Sequence, residues 1–233
     1  MYRNAYGNVS AYDRLFKTFE LSEERSSFLR KVYTIFLLGL GIAGATGLLV
    51  SGSNKVLSVV QNHYFLFFIL EIGLLILAYV VRRRSPVNLL VMAMFCVSSG
   101  VTFGPILAFY FAVNPSIIAS SFFLTSGIFA GLTVYVFVSR KDFSFLRGIL
   151  FVGLLIAIGA SILGFFINLP MFHVVLSAGI ALLFCGYILF DTSNLLFHYE
   201  TDEYIAGALA LYLDFINLFL AILRILGFAS SDD

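Results

Sequence analysis

Seven apolar runs dominate the chain, at residues 32–50, 64–81, 87–113, 117–138, 146–167, 172–197 and 205–227. A helix needs roughly 20 residues to cross a bilayer. Inside hydrocarbon every backbone N–H and C=O must find its partner within the protein, which favours helices for runs of this length. The chain is therefore expected to be an all-α membrane protein, a seven-transmembrane-helix bundle with short loops. Its 61% hydrophobic and 12% charged residues and mean hydropathy of +1.00 exclude a soluble domain of this length. Three parts are expected: a polar segment at 1–31, the bundle at 32–227 and a short tail at 228–233. The polar, mixed-charge start and the length of the first apolar run argue against a cleavable leader.

The basic residues set the orientation. Arg3, Arg14, Lys17, Arg25, Arg30 and Lys31 precede the first run, Arg82, Arg83 and Arg84 follow the second, and Arg140, Lys141 and Arg147 follow the fourth. The opposite side has only Lys55 in its loops, with Arg224 inside the last run. The N-terminus is expected in the cytoplasm and, with seven spans, the C-terminus outside. With a net charge of +1 and scattered basic residues, no nucleic-acid partner is indicated. Cys96 and Cys185 lie within apolar runs, so they suggest neither a disulfide nor a metal motif.

Against this background two lone carboxylates stand out, Asp191 in FCGYILFDTSNLLF and Asp214 in ALALYLDFINLFLAIL. A charge at the centre of a span costs a few kcal/mol or more unless it is paired or faces water, which marks it as a functional candidate. Asp191 lies about seven residues before the end of the sixth run and Asp214 about nine after the start of the seventh, so at ~1.5 Å per residue they share a depth. The connection between the two runs is short, so the helices are antiparallel neighbours whose carboxylates can meet. Asn194 and Asn217 each follow an aspartate by three residues, on the same helix face. On the last run that face continues through Gly207, Ala210, Ala221 and Arg224, a small and polar seam.

Glu71 and Arg82 lie eleven residues apart in the second run, about 20° apart around the helix. By depth, Arg82 can reach Asp191, and Glu71 can reach Arg224. Gly104-Pro105 in the third run predicts a kinked helix or two shorter pieces. Gly39-Leu40-Gly41-Ile42-Ala43-Gly44 fits the dinucleotide fingerprint, but that motif has meaning only between a strand and a helix. Inside a span, close helix packing extended by Gly47 explains it better. His63, His173 and His198 sit near span ends and do not suggest a metal site.

The segment FDTSNLLFHYETDEYIAGALALYLDFINLFLAILRILG resembles the C-terminal signature of the Bax inhibitor-1, or transmembrane Bax-inhibitor-motif, family. SPVNLLVMAMFCVSSGVTFGPILAFY resembles its third-span motif. The resemblance covers about residues 33–227. It implies a seven-helix fold and a pH-sensitive calcium leak, with Asp191 and Asp214 as the sensor pair and a transient contact for calcium. Arg82 matches the latch arginine, although Arg83 and Arg84 leave its register open, and Glu71 and Arg224 match the accompanying acidic and basic positions. Animal and plant members are linked to protection from cell death at the endoplasmic reticulum, and bacterial members sit in the plasma membrane. The bacterial plasma membrane is the expected location here, the endoplasmic reticulum if the source is eukaryotic.

Two carboxylates in a low-dielectric site cannot both ionise cheaply, so the titration belongs to the pair. The expected mechanism has ionised Asp191 holding Arg82 and occluding the path, with protonation favouring the open state. Carboxylates, amides and carbonyls near Gly104-Pro105 are the oxygen ligands a divalent ion takes. No cofactor is expected. The expected partners are the bilayer, calcium ions and other membrane proteins.

Other readings of the same residues compete. The aspartates can be hydrogen-bonded glue in a regulatory membrane subunit that binds other membrane proteins and moves no ion. In that case Tyr2, Tyr6, Tyr12 and Phe16 would serve for docking. An intramembrane aspartyl protease also uses two aspartates on late spans, but the contexts Phe190-Asp191 and Leu213-Asp214, without a later Pro-Ala-Leu, differ from its motifs. A retinal-type receptor lacks its lysine, since no Lys falls within a span.

Overall fold

A computed structural model of the chain describes residues 22–167 and 169–230. Tyr2, Tyr6, Tyr12 and Phe16, the suggested docking residues, lie outside the described residues. The described chain contains α1 (Glu23–Ser51), α2 (Asn54–Asn62), α3 (Tyr64–Val80), α4 (Val87–Val113), α5 (Pro115–Ser139), α6 (Arg147–Gly164), α7 (Pro170–Phe197) and α8 (Tyr204–Ala229). A single 3-10 turn, Ser144–Leu146, leads into α6.

Local chemistry explains the ends. Ser22 caps α1 by accepting the Arg25 N–H at 3.1 Å, with Glu23 and Glu24 in the first turn, where carboxylates complement the positive end of the helix dipole. The helix therefore starts nine residues ahead of the first apolar run. Asn114 ends α4 and caps α5, accepting the Ser116 N–H at 3.0 Å, with Pro115 at the first helical position, where a missing N–H costs nothing.

Six helices are long and apolar enough to cross a membrane, and α2 with α3 supplies a seventh only as a pair bent by 79°. The second expected span corresponds to α3, 17 residues or ~25 Å of helix, and the expected loop before it carries α2. The third expected span is one uninterrupted helix with Pro105 inside it, so the reading as two shorter pieces is corrected. The helix holds because the ring removes one donor and neighbouring turns keep theirs.

α8 is the hub. It packs most extensively on α7, then on α1 and α5, with lesser contacts to α3 and α4, while α1 lies along α4. That last seam depends on small residues, as membrane helix pairs do. A Cβ on Gly100 would stand 2.5 Å from the Ala43 carbonyl oxygen, one on Gly47 would stand 2.9 Å from Leu107, and one on Gly104 would run into Val50. Gly39 faces Cys96 and Tyr212, whereas Gly41 and Gly44 have nothing within 4 Å. The glycine-rich stretch is thus a packing seam through Gly39 and Gly47, and the glycines between them serve no close contact.

Around the middle of α8 an aromatic cluster joins three helices, α1, α5 and α8. Phe36, Phe129 and Phe215 have ring centroids 5.1–5.9 Å apart, and Phe122 lies 5.9 Å from Phe215. Phe215 directly follows Asp214 in α8, so the cluster sits at the level of the second aspartate.

Candidate functional site

The turn between α7 and α8 builds the site. α7 ends at Phe197 and α8 starts at Tyr204, which forces the two helices antiparallel and brings Asp191 and Asp214 to the same level. Their carboxyl groups are near enough to act on each other electrostatically. Asp214 is buried, and its Oδ2 has no hydrogen-bond partner among the described residues. Asp191 is half-buried and lines an open cleft of about 890 Å³ together with Tyr79, Arg147, Tyr187, Asn194 and Glu203. One carboxyl therefore faces the cleft, and the other lies behind it.

Charged and polar groups from three other segments hold the turn that forms the cleft's rim. Arg82 Nε donates to Glu203 Oε1 at 3.1 Å, and its guanidinium lies 4.3 Å over the Tyr79 ring. Arg83 Nη2 stands 3.1 Å from the same Glu203 oxygen and 2.9 Å from Glu200 Oε2, with its Nε 3.6 Å from Asp202. From α1, Arg25 Nη1 donates to the carbonyls of Tyr199 at 2.7 Å and Leu195 at 3.2 Å, and Glu24 accepts the Thr201 hydroxyl at 2.8 Å. Between α5 and α6, Asp142 pairs with His198 at 2.9 Å. Such a network has more chance of counting than an isolated surface pair.

Two groups of this network titrate below their ordinary range. Burial works to raise the Glu203 carboxyl, but the hydrogen bonds from Arg82, Arg83 and the Glu200 N–H outweigh it and hold it down. Asp142 is held down chiefly by the Ser144 backbone N–H, which outweighs the opposing effect of burial, with His198 adding a smaller push downward.

The remaining expected residues divide. Arg82 sits at the rim on Glu203, not on Asp191, because the acidic turn is the nearer carboxylate to a guanidinium that leaves the end of α3. Glu71 accepts the Thr102 hydroxyl at 2.6 Å and forms no ion pair with Arg224, which has no ion pair among the described residues. Asn194 lies on the cleft beside Asp191, and its carbonyl accepts the His198 and Tyr199 N–H groups. Asn217 turns away from Asp214 and donates to the Leu213 carbonyl of its own helix at 2.8 Å. Gly104 packs on α1 beside Pro105, remote in sequence from the residues that line the cleft.

Sequence reasoning missed two features. Glu203, on the rim, belongs to the run Glu200-Thr201-Asp202-Glu203, whose acidity was the available signal. The other is a polar ladder across the bundle. Thr102 Oγ1 lies 2.6 Å from Glu71 and 2.9 Å from the Ser99 carbonyl, its one hydroxyl proton shared between the two acceptors, and the buried Tyr212 hydroxyl donates to Ser99 Oγ at 2.9 Å. Ser98, Ser99 and Thr102 inside an apolar run were its visible trace.

Comparison with known proteins places these residues in context. The profile of the family described as inhibitor of apoptosis-promoting Bax1 matches residues 25–231. An uncharacterised protein of Campylobacter jejuni is 38% identical over 229 residues, covering 94% of this chain and 97% of its own. Bax inhibitor 1 of Schizosaccharomyces pombe is 38% identical over 213 residues, 90% of this chain and 79% of its own. The Golgi anti-apoptotic protein of vaccinia virus is 35% identical over 205 residues, 87% of this chain and 85% of its own.

Proposed function

This chain belongs to the Bax inhibitor-1 family, and from that premise we propose that it is a pH-sensitive calcium leak governed by Asp191 and Asp214. The observation that carries the proposal is the pairing of the two carboxyls, one on an open cleft and the other buried behind it. Carboxylates in contact away from water repel, so a proton held between them relieves both, and the charge of the site follows pH. Ionised Asp191 draws the Arg82 guanidinium from Glu203 into the cleft and occludes it. Protonation of the pair returns Arg82 to the rim and opens the way. Calcium, as the transported ion, meets oxygen ligands in Asp191, Asn194 and Glu203, the donor type a hard divalent cation takes. The clustered rings of Phe36, Phe129 and Phe215, at the level of Asp214, are the dry barrier that must part for an ion to pass.

Orientation completes the proposal. The bias of the basic clusters supports a cytoplasmic side for the cleft and the Arg82 network, in a bacterial plasma membrane with the C-terminus outside. No bond-making chemistry is assigned to the aspartates.

The test is calcium flux into proteoliposomes between about pH 5 and pH 8, comparing wild type with Asp191→Asn and Asp214→Asn. A pH profile flattened or shifted in both variants is the expected result. Flux no higher than that of empty liposomes at every pH would replace the leak with a regulatory subunit that binds other membrane proteins.

A further inference from the structure

At the end of the bundle opposite the Arg82 network, α4, α7 and α8 leave a cleft of about 520 Å³ lined by Tyr110, Pro170, His173, Val174, Arg224 and Phe228. We propose that this cleft binds the phosphate group of an anion, with the Arg224 guanidinium as its charged ligand and the Tyr110 hydroxyl as a second donor. The inference does not depend on the leak.

Charge is the first argument. A guanidinium on a spanning helix is costly unless an anion or water meets it, and Arg224 has no ion pair among the described residues. The acidic residue that depth alone would assign to it, Glu71, is taken up by Thr102 at 2.6 Å. Arginine presents a planar fork of donors that matches phosphate geometry, which makes it the preferred side chain for such a ligand.

Placement is the second. Tyr110 lies against the backbone of α8 at Gly227, where a Cβ would come 2.5 Å from the ring and 2.8 Å from its hydroxyl oxygen. Gly227 is thus what seats the Tyr110 hydroxyl three residues on from Arg224. That hydroxyl makes no hydrogen bond among the described residues and is left to donate. His173 Nε2 lies 3.1 Å from the Ile167 carbonyl, which fixes the ring at the cleft wall.

Shape is the third. Pro170, Val174 and Phe228 give the cleft an apolar side, and α7 begins there, adding the positive end of its dipole to the field of Arg224. A phosphate-bearing lipid headgroup, with its glycerol and chains along the apolar side, suits such a cleft at a membrane surface. Inorganic phosphate shares the chemistry without the chains.

Binding of phosphatidylglycerol to the full chain in neutral detergent micelles, titrated by native mass spectrometry, tests the site. Arg224→Gln is expected to weaken binding about tenfold, as loss of hydrogen bonds to a charged group does, and Tyr110→Phe to weaken it by a few fold. Inorganic phosphate is titrated in parallel. Arg224-dependent binding of the lipid alone identifies a headgroup site, and Arg224-dependent binding of inorganic phosphate as well identifies a site for free phosphate. Arg224→Lys keeps the charge but loses the fork, and covers the case in which Arg224→Gln does not fold. Wild-type affinity for both probes in the arginine variant that folds and in Tyr110→Phe overturns the proposal, leaving Arg224 as a side chain that only extends to water.

Discussion

Arg82 Nε and Glu203 Oε1 stand 3.1 Å apart across the rim of the cleft that leads to Asp191. The contact joins the end of α3 to the start of α8, and Arg83 shares the same carboxylate oxygen. Glu203 and Asp191 line one cleft, so under the proposed latch the two acids compete for one guanidinium.

Removing the competitor tests this relationship. Glu203→Gln leaves Asp191 as the acidic acceptor on the cleft, so calcium flux near pH 7 is expected to fall several fold under the proposed latch. Unchanged flux, measured in the same liposomes, would mean that Arg82 does not exchange between the two carboxylates.

Acid should loosen the turn. Glu203 titrates below its ordinary value of 4.5 in the folded chain, so its contribution is fully present above that value and is lost as pH falls through the lower folded one. Asp142 acts in the same direction from its ordinary 3.8. Thermal unfolding in detergent at pH 7 and at about pH 3 is expected to show a smaller gap between wild type and Glu203→Gln at the lower pH. An equal gap at both would remove the carboxylate's role in holding the turn.

Glycines of similar appearance should respond in opposite ways. Gly100→Ala puts a Cβ 2.5 Å from the Ala43 carbonyl oxygen, backbone that cannot swing aside, and is expected to cost about 1–3 kcal/mol. Gly44→Ala meets nothing within 4 Å and should be neutral or gain up to about 1 kcal/mol from helix propensity. Unfolding midpoints of the two variants measure the difference directly.

Thr102→Val deletes the donor that Glu71 accepts at 2.6 Å. With the carboxyl left in a partly buried site, about 1–3 kcal/mol of stability should be lost. Thr102→Ser, which restores a hydroxyl, should recover most of it. Equal stability of Thr102→Val and wild type would show that Glu71 finds another partner.

The long spanning helices, their order and the closeness of Asp191 to Asp214 were readable from run length, depth and the short connection between residues 197 and 204, because hydrocarbon permits few alternatives. The side-chain partners were less so. Depth alone paired Arg82 with Asp191 and Glu71 with Arg224, but a guanidinium takes the nearest acid, and Glu203 lies in a turn that a search for charges within spans passes over. Glu71 shows the converse case, since a hydroxyl on α4 reaches it and hydroxyls in apolar runs carry little weight in a hydropathy reading. The break between α2 and α3 was hidden for another reason. Asn62 and His63 interrupt the apolar pattern no more than an ordinary loop would, while in the fold they sit at a 79° bend between two helices that both pack on α4.

α8 has more of its surface covered by the rest of the bundle than any other spanning helix, yet it is the last of them that a ribosome would make. Until it arrives, α1, α5 and α7 present inward faces without their common neighbour, and Asp191 has no companion carboxyl. Biogenesis must therefore keep a vacant slot open among helices already in the bilayer, and a polypeptide stalled before Tyr204 would expose that slot to lipid. The same burial that encloses the finished site keeps its parts separate until α8 has inserted among them.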